Sequence, residues 1–438
     1  MNINKAIIKI AGMIECPVDF ANKAQLAGYH LQEDLLTKEE REKSTTYYKK
    51  TYYPEVRKML FLDKNDSSTI KIYQKENNES LIFYKRDHTY NVNLKKSEVY
   101  IFPEKTDKKN LGMFSLQFEC EDKATVSDVA DVNFLVKQFN SIMKADQQDP
   151  GLEWIDWIEK NILLGIKIHG EQAPVDEYSG SKFKVFTVVD TAEMQTHLER
   201  CNLLYDIGTA SPIGSANGEG PGAPSKSYFD ALMNNTISVF NNWDALALFD
   251  SYTVVGNNLL SDPIKEKNIT ETYFRIYILN LYVKFNLFRF NTELHLRPLS
   301  VRSQFENFIN TYNLNQISFN FLPNLIYHKQ RKALLIDNEL KKFNERITRI
   351  SNNIQEQQQK RTNALLSFVT IVASAGSIIP IYNNLEKIRI FLNWQTGIFY
   401  WLIGVLALII SFFLFRYIFS ESYRSLLRKV KKFQITGK

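Results

Sequence analysis

Two uncharged apolar runs near the end of the chain, residues 364–382 (ALLSFVTIVASAGSIIPIY) and 396–415 (TGIFYWLIGVLALIISFFLF), constrain it more than any other feature. Each is about the length that crosses a hydrocarbon core of roughly 30 Å. Trp394, Tyr400, Trp401 and Tyr417 lie near the ends of the second run, where amphipathic rings favour an interface. The expectation is a pair of transmembrane helices, with a buried hairpin of a water-soluble protein as the competing reading. Lys360 and Arg361 precede the first run. Arg416, Arg424, Arg428, Lys429, Lys431 and Lys432 follow the second, whereas the connection between the runs carries only Lys387 and Arg389 beside Glu386. The positive-inside tendency then places both chain ends in the cytoplasm of a bacterial inner membrane, with lipid as a partner.

A third apolar stretch, residues 269–290, contains Glu271, Arg275, Lys284 and Arg289. Charges near a bilayer centre cost several kcal/mol each, so this stretch is expected to be a soluble helix capped at Asn268.

Upstream of the first run, residues 324–375 contain neither Gly nor Pro. Ile336, Leu340, Phe343, Ile347, Ile350, Ile354, Gln357, Arg361 and Ala364 recur at alternating steps of four and three, which is a heptad seam. A continuous helix over this length would reach about 75 Å and enter the first apolar run directly. The competing reading is a helix packed on its own domain. Asn363, Ser367, Thr370, Ser374 and Ser377 also step by four and three, so they share one helix face. Such a face suits a pore lining formed by a ring of subunits. Close packing through small residues, aided by Ala373, Ala375 and Gly376, is the alternative.

The remainder is expected to be an α+β domain, a mainly antiparallel sheet flanked by helices. Residues 69–75, 81–86, 89–94, 98–103 and 111–119 read as strands, with turns at Asn77-Asn78 and Arg86-Asp87. Ser127 is expected to cap a helix through Phe139, and residues 184–190 (KVFTVVD) to form a buried strand. Residues 208–227 (GTASPIGSANGEGPGAPSKS) depart from this composition, holding five of the 17 glycines and three of the 12 prolines. They follow a strand-like run at 203–206 and precede an expected helix over 228–240. Such a loop can offer backbone N–H groups and a helix N-terminus to a phosphate, or serve only as a mobile surface loop. Candidate ligand contacts are Asp206, Thr209, Ser211, Ser215, Lys226 and Ser227. The segment 220–227 approaches a P-loop, but Ser225 stands where the second Gly belongs and Pro221 and Pro224 interrupt it, which argues against ATP hydrolysis.

No catalytic constellation is evident, and an enzyme is not expected. The net charge of +6 over 438 residues shows no basic stripe interleaved with exposed aromatics, so direct nucleic-acid binding is not expected either. Cys16, Cys120 and Cys201 are far apart, and the six histidines are scattered, which gives no metal motif. The expected organisation is an αβ domain over 1–267, a helical connection over 268–322, a stalk helix over 323–363, spans at 364–382 and 396–415 joined by an outer loop at 383–395, and a basic tail over 416–438.

A soluble αβ domain, one long helix that becomes a membrane helix, a short outer loop, a second span and a basic end resemble the CorA family of divalent-cation channels. The resemblance implies a ring, usually of five copies, with the first span lining the pore. The family's Gly-Met-Asn filter would fall at Tyr382, Asn383 and Asn384, where neither Gly nor Met is present. The missing filter and the large soluble domain look more like the divergent CorA-like proteins encoded beside type III CRISPR systems. That likeness implies an antiviral membrane effector, a channel or a membrane disruptor, gated by a nucleotide messenger such as SAM-AMP. A constitutive transporter of Mg²⁺, Zn²⁺ or Ni²⁺ and a non-transporting membrane scaffold are the alternatives.

Overall fold

A computed structural model of the chain describes residues 1–15, 17–61, 63, 66, 68–86, 88–103, 111–120, 124–144, 151–169, 182–218, 223–294, 296–376 and 378–391, together with isolated positions between 395 and 409. It divides into two compact units, Met1–Ile347 and Thr348–Lys438.

The first unit opens with β1 (Ile3–Ile14), α1 (Pro17–Ala24), β2 (His30–Leu31), α2 (Lys38–Thr51) and α3 (Pro54–Leu60). A long hairpin follows, β3 (Lys71–Lys85) and β4 (His88–Ile101), then β5 (Gly112–Cys120) and α4 (Val126–Lys137). Short elements come next: β6 (Ile142–Lys144), β7 (Leu152–Glu153), α5 (Trp154–Trp157) and β8 (Ile168–His169). The sheet is completed around α6 (His197–Thr209) and α7 (Lys226–Met233) by β9 (Lys184–Thr191), β10 (Thr236–Phe240), β11 (Trp243–Ala247) and β12 (Ser251–Asn257). The helices α8 (Pro263–Lys267), α9 (Phe274–Glu293), α10 (Pro298–Tyr312) and α11 (Phe321–Ala333) lead to α12 (Ile336–Gly376), which passes into the second unit; α13 (Ile378–Phe391) lies wholly there.

The strands form one mixed sheet in the order β10-β11-β12-β9-β1-β5-β4-β3-β6-β7, with β2 on β3 and β8 on β1. Its neighbours are antiparallel except β9 and β12, which run parallel from Val185–Ser251 to Thr191–Asn257. The central strand β1 reads INKAIIKIAGMI and is buried along nearly its whole length, as a strand covered on both faces must be. Its alternation assigns the faces. Ala6, Ile8, Ile10 and Ile14 join the main core with Val129 and Val132 of α4 and Leu204 and Ile207 of α6. On the other face the Lys9 ammonium lies 4.5 Å from the Phe274 ring centroid, at the start of α9.

Several local expectations are corrected. Asn77-Asn78 is not a turn: β3 continues through a bulge there, and Asn77 is buried with Nδ2 donating to Ser97 Oγ at 3.0 Å. Residues 203–206 are helical, within α6, and the expected helix over 228–240 stops at Met233 and gives way to β10. The cap of α4 is Thr125, which forms a capping box with Asp128. The α8 segment is capped by Asp262, and Asn268 opens a π-turn, Asn268–Tyr273, that continues into α9. α9 itself is buried in the first unit, with Tyr282 stacked on Phe102 at 3.9 Å.

The long helix is also interrupted. α11 ends at Ala333, and Leu335 takes a left-handed conformation with φ 58° before α12 begins. Arg331 holds this corner: its guanidinium donates to Tyr327 Oη at 2.8 Å, Asn313 Oδ1 at 2.8 Å and Asp337 Oδ1 at 2.5 Å. α12 is a 41-residue helix, about 60 Å long at 1.5 Å per residue.

Among the described residues, no helix is long and apolar enough to cross a membrane. This overturns the expected pair of transmembrane helices, the membrane-channel architecture and the inner-membrane placement. The physical reason lies in how the first run is divided. Only residues 364–376 of it belong to α12, fewer than the roughly 20 apolar residues a span needs, and the part of α12 before them is polar and charged. Residues 378–382 of it fall in α13, which carries Glu386, Lys387 and Arg389. Tyr382, Asn383 and Asn384 therefore sit inside a helix rather than in an outer loop. The second run, 396–415, and the basic tail lie largely outside the described residues.

Candidate functional site

The predicted ligand loop is built on α6. Thr196 and Glu199 form a capping box at its start, and Ala210 closes it in a left-handed conformation. Asp206, in the last turn, is 1% exposed and turns its carboxylate back on the loop. It accepts N–H bonds from Gly214 at 2.7 Å and Ala216 at 2.9 Å. Burial raises its carboxyl above the usual range, and those two donors pull the other way. Thr209 Oγ1 lies 2.8 Å from both Tyr205 O and Ser211 Oγ, and Ser215 Oγ donates to Pro212 O at 2.7 Å. The loop thus brings Asp206, Thr209, Ser211 and Ser215 together, but they bind one another and the loop backbone. Its backbone donors receive a carboxylate of the same chain where a phosphate was expected. Lys226 and Ser227 open α7, and Ser225 caps that helix by accepting from Tyr228 N at 3.3 Å. Removing the carboxylate in Asp206→Ala strands two amides at a cost of about 1–3 kcal/mol. The expected result is severalfold faster limited proteolysis within residues 210–218, while the thermal transition of the unit moves little.

Sequence reasoning missed two clusters whose members are remote in the chain. The first lies at the other end of α6. His197 Nδ1 is 2.9 Å from Asp244 Oδ2, Arg200 Nε donates to the same oxygen at 2.6 Å, and Cys201 Sγ is 3.7 Å from His197 Nε2. This is the residue set of a thiol–imidazole–carboxylate relay, but its geometry opposes that chemistry. The sulfur is almost as close to Nδ1, at 4.0 Å, so it lies well off the line of the Nε2 lone pair. Burial, and then the Asp244 charge, push the thiol up to about 11, so it is not a thiolate near neutral pH. The cluster clamps α6 to β11 through a buried Arg–Asp pair.

The second cluster lies between the sheet and α9. Glu98 is 3.0 Å from Lys96 and 3.8 Å from Lys9, and it accepts the Tyr100 hydroxyl at 2.7 Å. Arg275 donates to Gln32 Oε1 at 2.7 Å and lies 3.9 Å from Glu271, which the π-turn presents. Lys9, Lys96 and Arg275 therefore share Glu98 and Glu271. Burial would raise the Glu98 carboxyl, but Lys96 and Lys9 hold it far below the ordinary range. For Lys96, burial pushes the ammonium down and the two carboxylates more than reverse it. For Lys9, burial wins and lowers the ammonium to about 8, against the pull of Glu98. The pH consequence follows from linkage. Below about pH 8 both folded and unfolded chains carry this proton, and the penalty for a buried charge is complete. From about 8 toward the unfolded value of 10.5 the unfolded chain holds more protons, so this group's contribution to stability rises with pH. Urea unfolding at pH 7.5 and 9.5 should show the wild type gaining stability relative to Lys9→Met. Equal changes in the two proteins would contradict the buried ammonium.

The heptad seam of α12 changes character along its length. Ile336, Leu340, Phe343 and Ile347 are buried at 0, 7, 0 and 9% exposure. Phe343 packs on Phe305 with centroids 4.4 Å apart and on Phe290 at 6.3 Å. Beyond Ile347, Ile350 and Ile354 are half-buried, and Gln357, Arg361 and Ala364 are exposed. The periodicity persists where the cover ends. Of the hydroxyl stripe, Asn363, Thr370 and Ser374 are exposed, Ser367 is half-buried and Ser377 lies outside the described residues. Thr370 Oγ1 donates to Leu366 O at 2.8 Å within the helix. Around that stripe Leu365, Phe368, Val369 and Ile371 are 50–65% exposed. Among the described residues, the stripe lies on a helix that is not long and apolar enough to cross a membrane.

Among the described residues, no group of three or more His, Cys, Asp and Glu side chains could hold a metal ion, so no Mg²⁺ site is identified there. No family model, curated protein or solved structure matches this chain.

Proposed function

We propose that this chain is a binding protein that acts as a homo-oligomer, its copies joined in parallel along the distal seam of α12, and that a small anionic messenger bound by the αβ unit controls that assembly. The observation that carries the reading is the seam itself. Its first four positions are covered by the chain's own core, and the next positions keep the heptad spacing with Ile350 and Ile354 incompletely covered. A heptad repeat is a device for meeting another helix. Copies arranged around one rotation axis present the same face in the same direction, so a parallel bundle is the arrangement a closed ring requires. The polar layer at Gln357 and Arg361 suits a bundle with a wet axis better than a dry dimer seam.

Two finer parts of the proposal, a ring of five and a nucleotide messenger with SAM-AMP as the first probe, come from the sequence resemblance alone, whose membrane-spanning features the fold does not share. Transport across a bilayer is not proposed. A binding role is preferred to catalysis because the one thiol–imidazole–carboxylate set described is misaligned and its thiol is protonated.

Sedimentation velocity of the full chain with and without SAM-AMP tests both parts. The expected result is a discrete oligomer whose size or stability changes with the nucleotide. A monomer at every concentration would overturn the assembly reading. An oligomer indifferent to SAM-AMP would overturn the choice of messenger and favour a scaffold.

A further inference from the structure

The distal seam of α12 changes chemistry at one layer. After the half-buried Ile350 and Ile354, the next seam positions are Gln357 and Arg361, both exposed, followed by Ala364. Gln357 and Arg361 are four residues apart, so they share a face and lie about 6 Å apart along the helix. Side chains on a helix lean toward its N-terminus, so the Arg361 guanidinium reaches back toward the Gln357 amide. Ala364, the following seam residue, is small and leaves room beside it.

The charges at this layer do not balance. Glu356 is the last carboxylate of α12, since no Asp or Glu occurs from Gln357 to Gly376. It precedes Lys360 by four residues and Arg361 by five, so on the helix surface it neighbours Lys360. The residues three and four positions from Arg361 are Gln357, Gln358, Ala364 and Leu365, all uncharged. Among the described residues no ion pair engages Arg361. In a single copy, water solvates that guanidinium. In copies joined in parallel, the seam brings one guanidinium from each copy to the same level of the axis, beside amides and without a carboxylate. Like charges so placed oppose assembly, and the counter-charge has to come from solution. Guanidinium forks bind phosphate-type oxyanions through paired N–H bonds, and the Gln357 amides add neutral donors.

We propose that the Gln357–Arg361 layer is an axial binding site for a small phosphate-type oxyanion, held by one Arg361 from each copy and incomplete in the single chain. The proposal rests on parallel assembly along α12 and adds to it a ligand that only the assembled form binds. The site is separate from that of the messenger on the αβ unit.

Sedimentation equilibrium of the full chain in sodium phosphate and in sodium chloride, matched in ionic strength, tests the site. An anion bound only by the assembled form raises the assembly constant in proportion to its occupancy. Wild type is therefore expected to assemble about ten-fold more tightly once phosphate reaches about ten times its Kd. Arg361→Gln removes the like charges and the anion's donors together. It should assemble more tightly than wild type in chloride and respond no more to phosphate than to chloride. Arg361→Lys keeps the charge without the fork and should respond to phosphate more weakly than wild type. With AMP in place of inorganic phosphate, a response at lower concentration marks a nucleotide phosphate as the occupant, and an equal or weaker response marks the free anion. Both support the site when Arg361→Gln abolishes them. The same phosphate response in wild type and Arg361→Gln, with both assembled, would overturn the site and leave the assembly standing. Monomers of both proteins in every buffer would overturn the assembly, and the site with it.

Discussion

Ile350→Asp combined with Ile354→Asp is expected to convert the assembled protein to monomer while leaving the αβ unit folded. The two residues are half-buried and lie beyond Ile347, where the first unit ends. Each isoleucine buried between copies contributes about 1.5–3 kcal/mol, and each aspartate introduces a charge that the seam cannot pair. The effect per copy is several kcal/mol, enough to shift an assembly constant by more than about a thousand-fold. Sedimentation velocity gives the mass, and circular dichroism shows whether the sheet unit survives. The matching change within the core, Phe343→Ala, should behave differently. It removes a ring packed on Phe305 and Phe290 and should cost about 3–5 kcal/mol of fold stability.

Glu98→Gln should be the most destabilising single change in the charge network under α9. Glu98 is 4% exposed and is the shared partner of Lys96, Lys9 and the Tyr100 hydroxyl. The amide keeps the size and part of the hydrogen bonding but leaves Lys9, Lys96 and Arg275 with Glu271 as the remaining carboxylate. Breaking a buried pair from one side typically costs about 3–5 kcal/mol, because the surviving charges stay desolvated. For a unit of this size that lowers the melting temperature by about 4–7 °C. Scanning calorimetry of the full chain reads this directly. A change below 2 °C would mean that the cations relax to solvent and that the network is not a closed part of the core.

Parts of this fold are legible from residue patterns, and the failures have identifiable causes. The strand β9 can be read from KVFTVVD, a short run rich in β-branched and aromatic residues of the kind strands favour. The spacing of Val129, Val132 and Val136 marks α4, although its cap is Thr125 and not Ser127. Residues 203–206 mislead because four apolar-rich residues fit a strand and a helix equally well; the signal that separates them is the Thr196–Glu199 capping box upstream. Asn77-Asn78 looks like a turn because asparagines favour turns, yet a bulge accommodates the pair and Ser97 satisfies Asn77. The corner at Leu335 carries no glycine or proline to announce it. It is set by Arg331 reaching Asn313 and Asp337, contacts invisible to local pattern. The charge network under α9 was hidden for the same reason. Lys9, Lys96 and Arg275 meet only after the sheet and α9 have brought distant segments together. The apolar runs at the end of the chain were read by composition, which does not reveal how α12 and α13 divide the first of them.

The most direct test of assembly along α12 is site-specific cross-linking in a chain whose Cys16, Cys120 and Cys201 are replaced by serine. A cysteine placed at Ile354, on the seam, is compared with one at Gln359, on the opposite side of the same helix, using a short bismaleimide and reading the product masses. Parallel assembly predicts efficient formation of cross-linked pairs from the Ile354 position and almost none from Gln359. Equal cross-linking at both positions, or none at Ile354, would contradict a seam that joins copies of this chain.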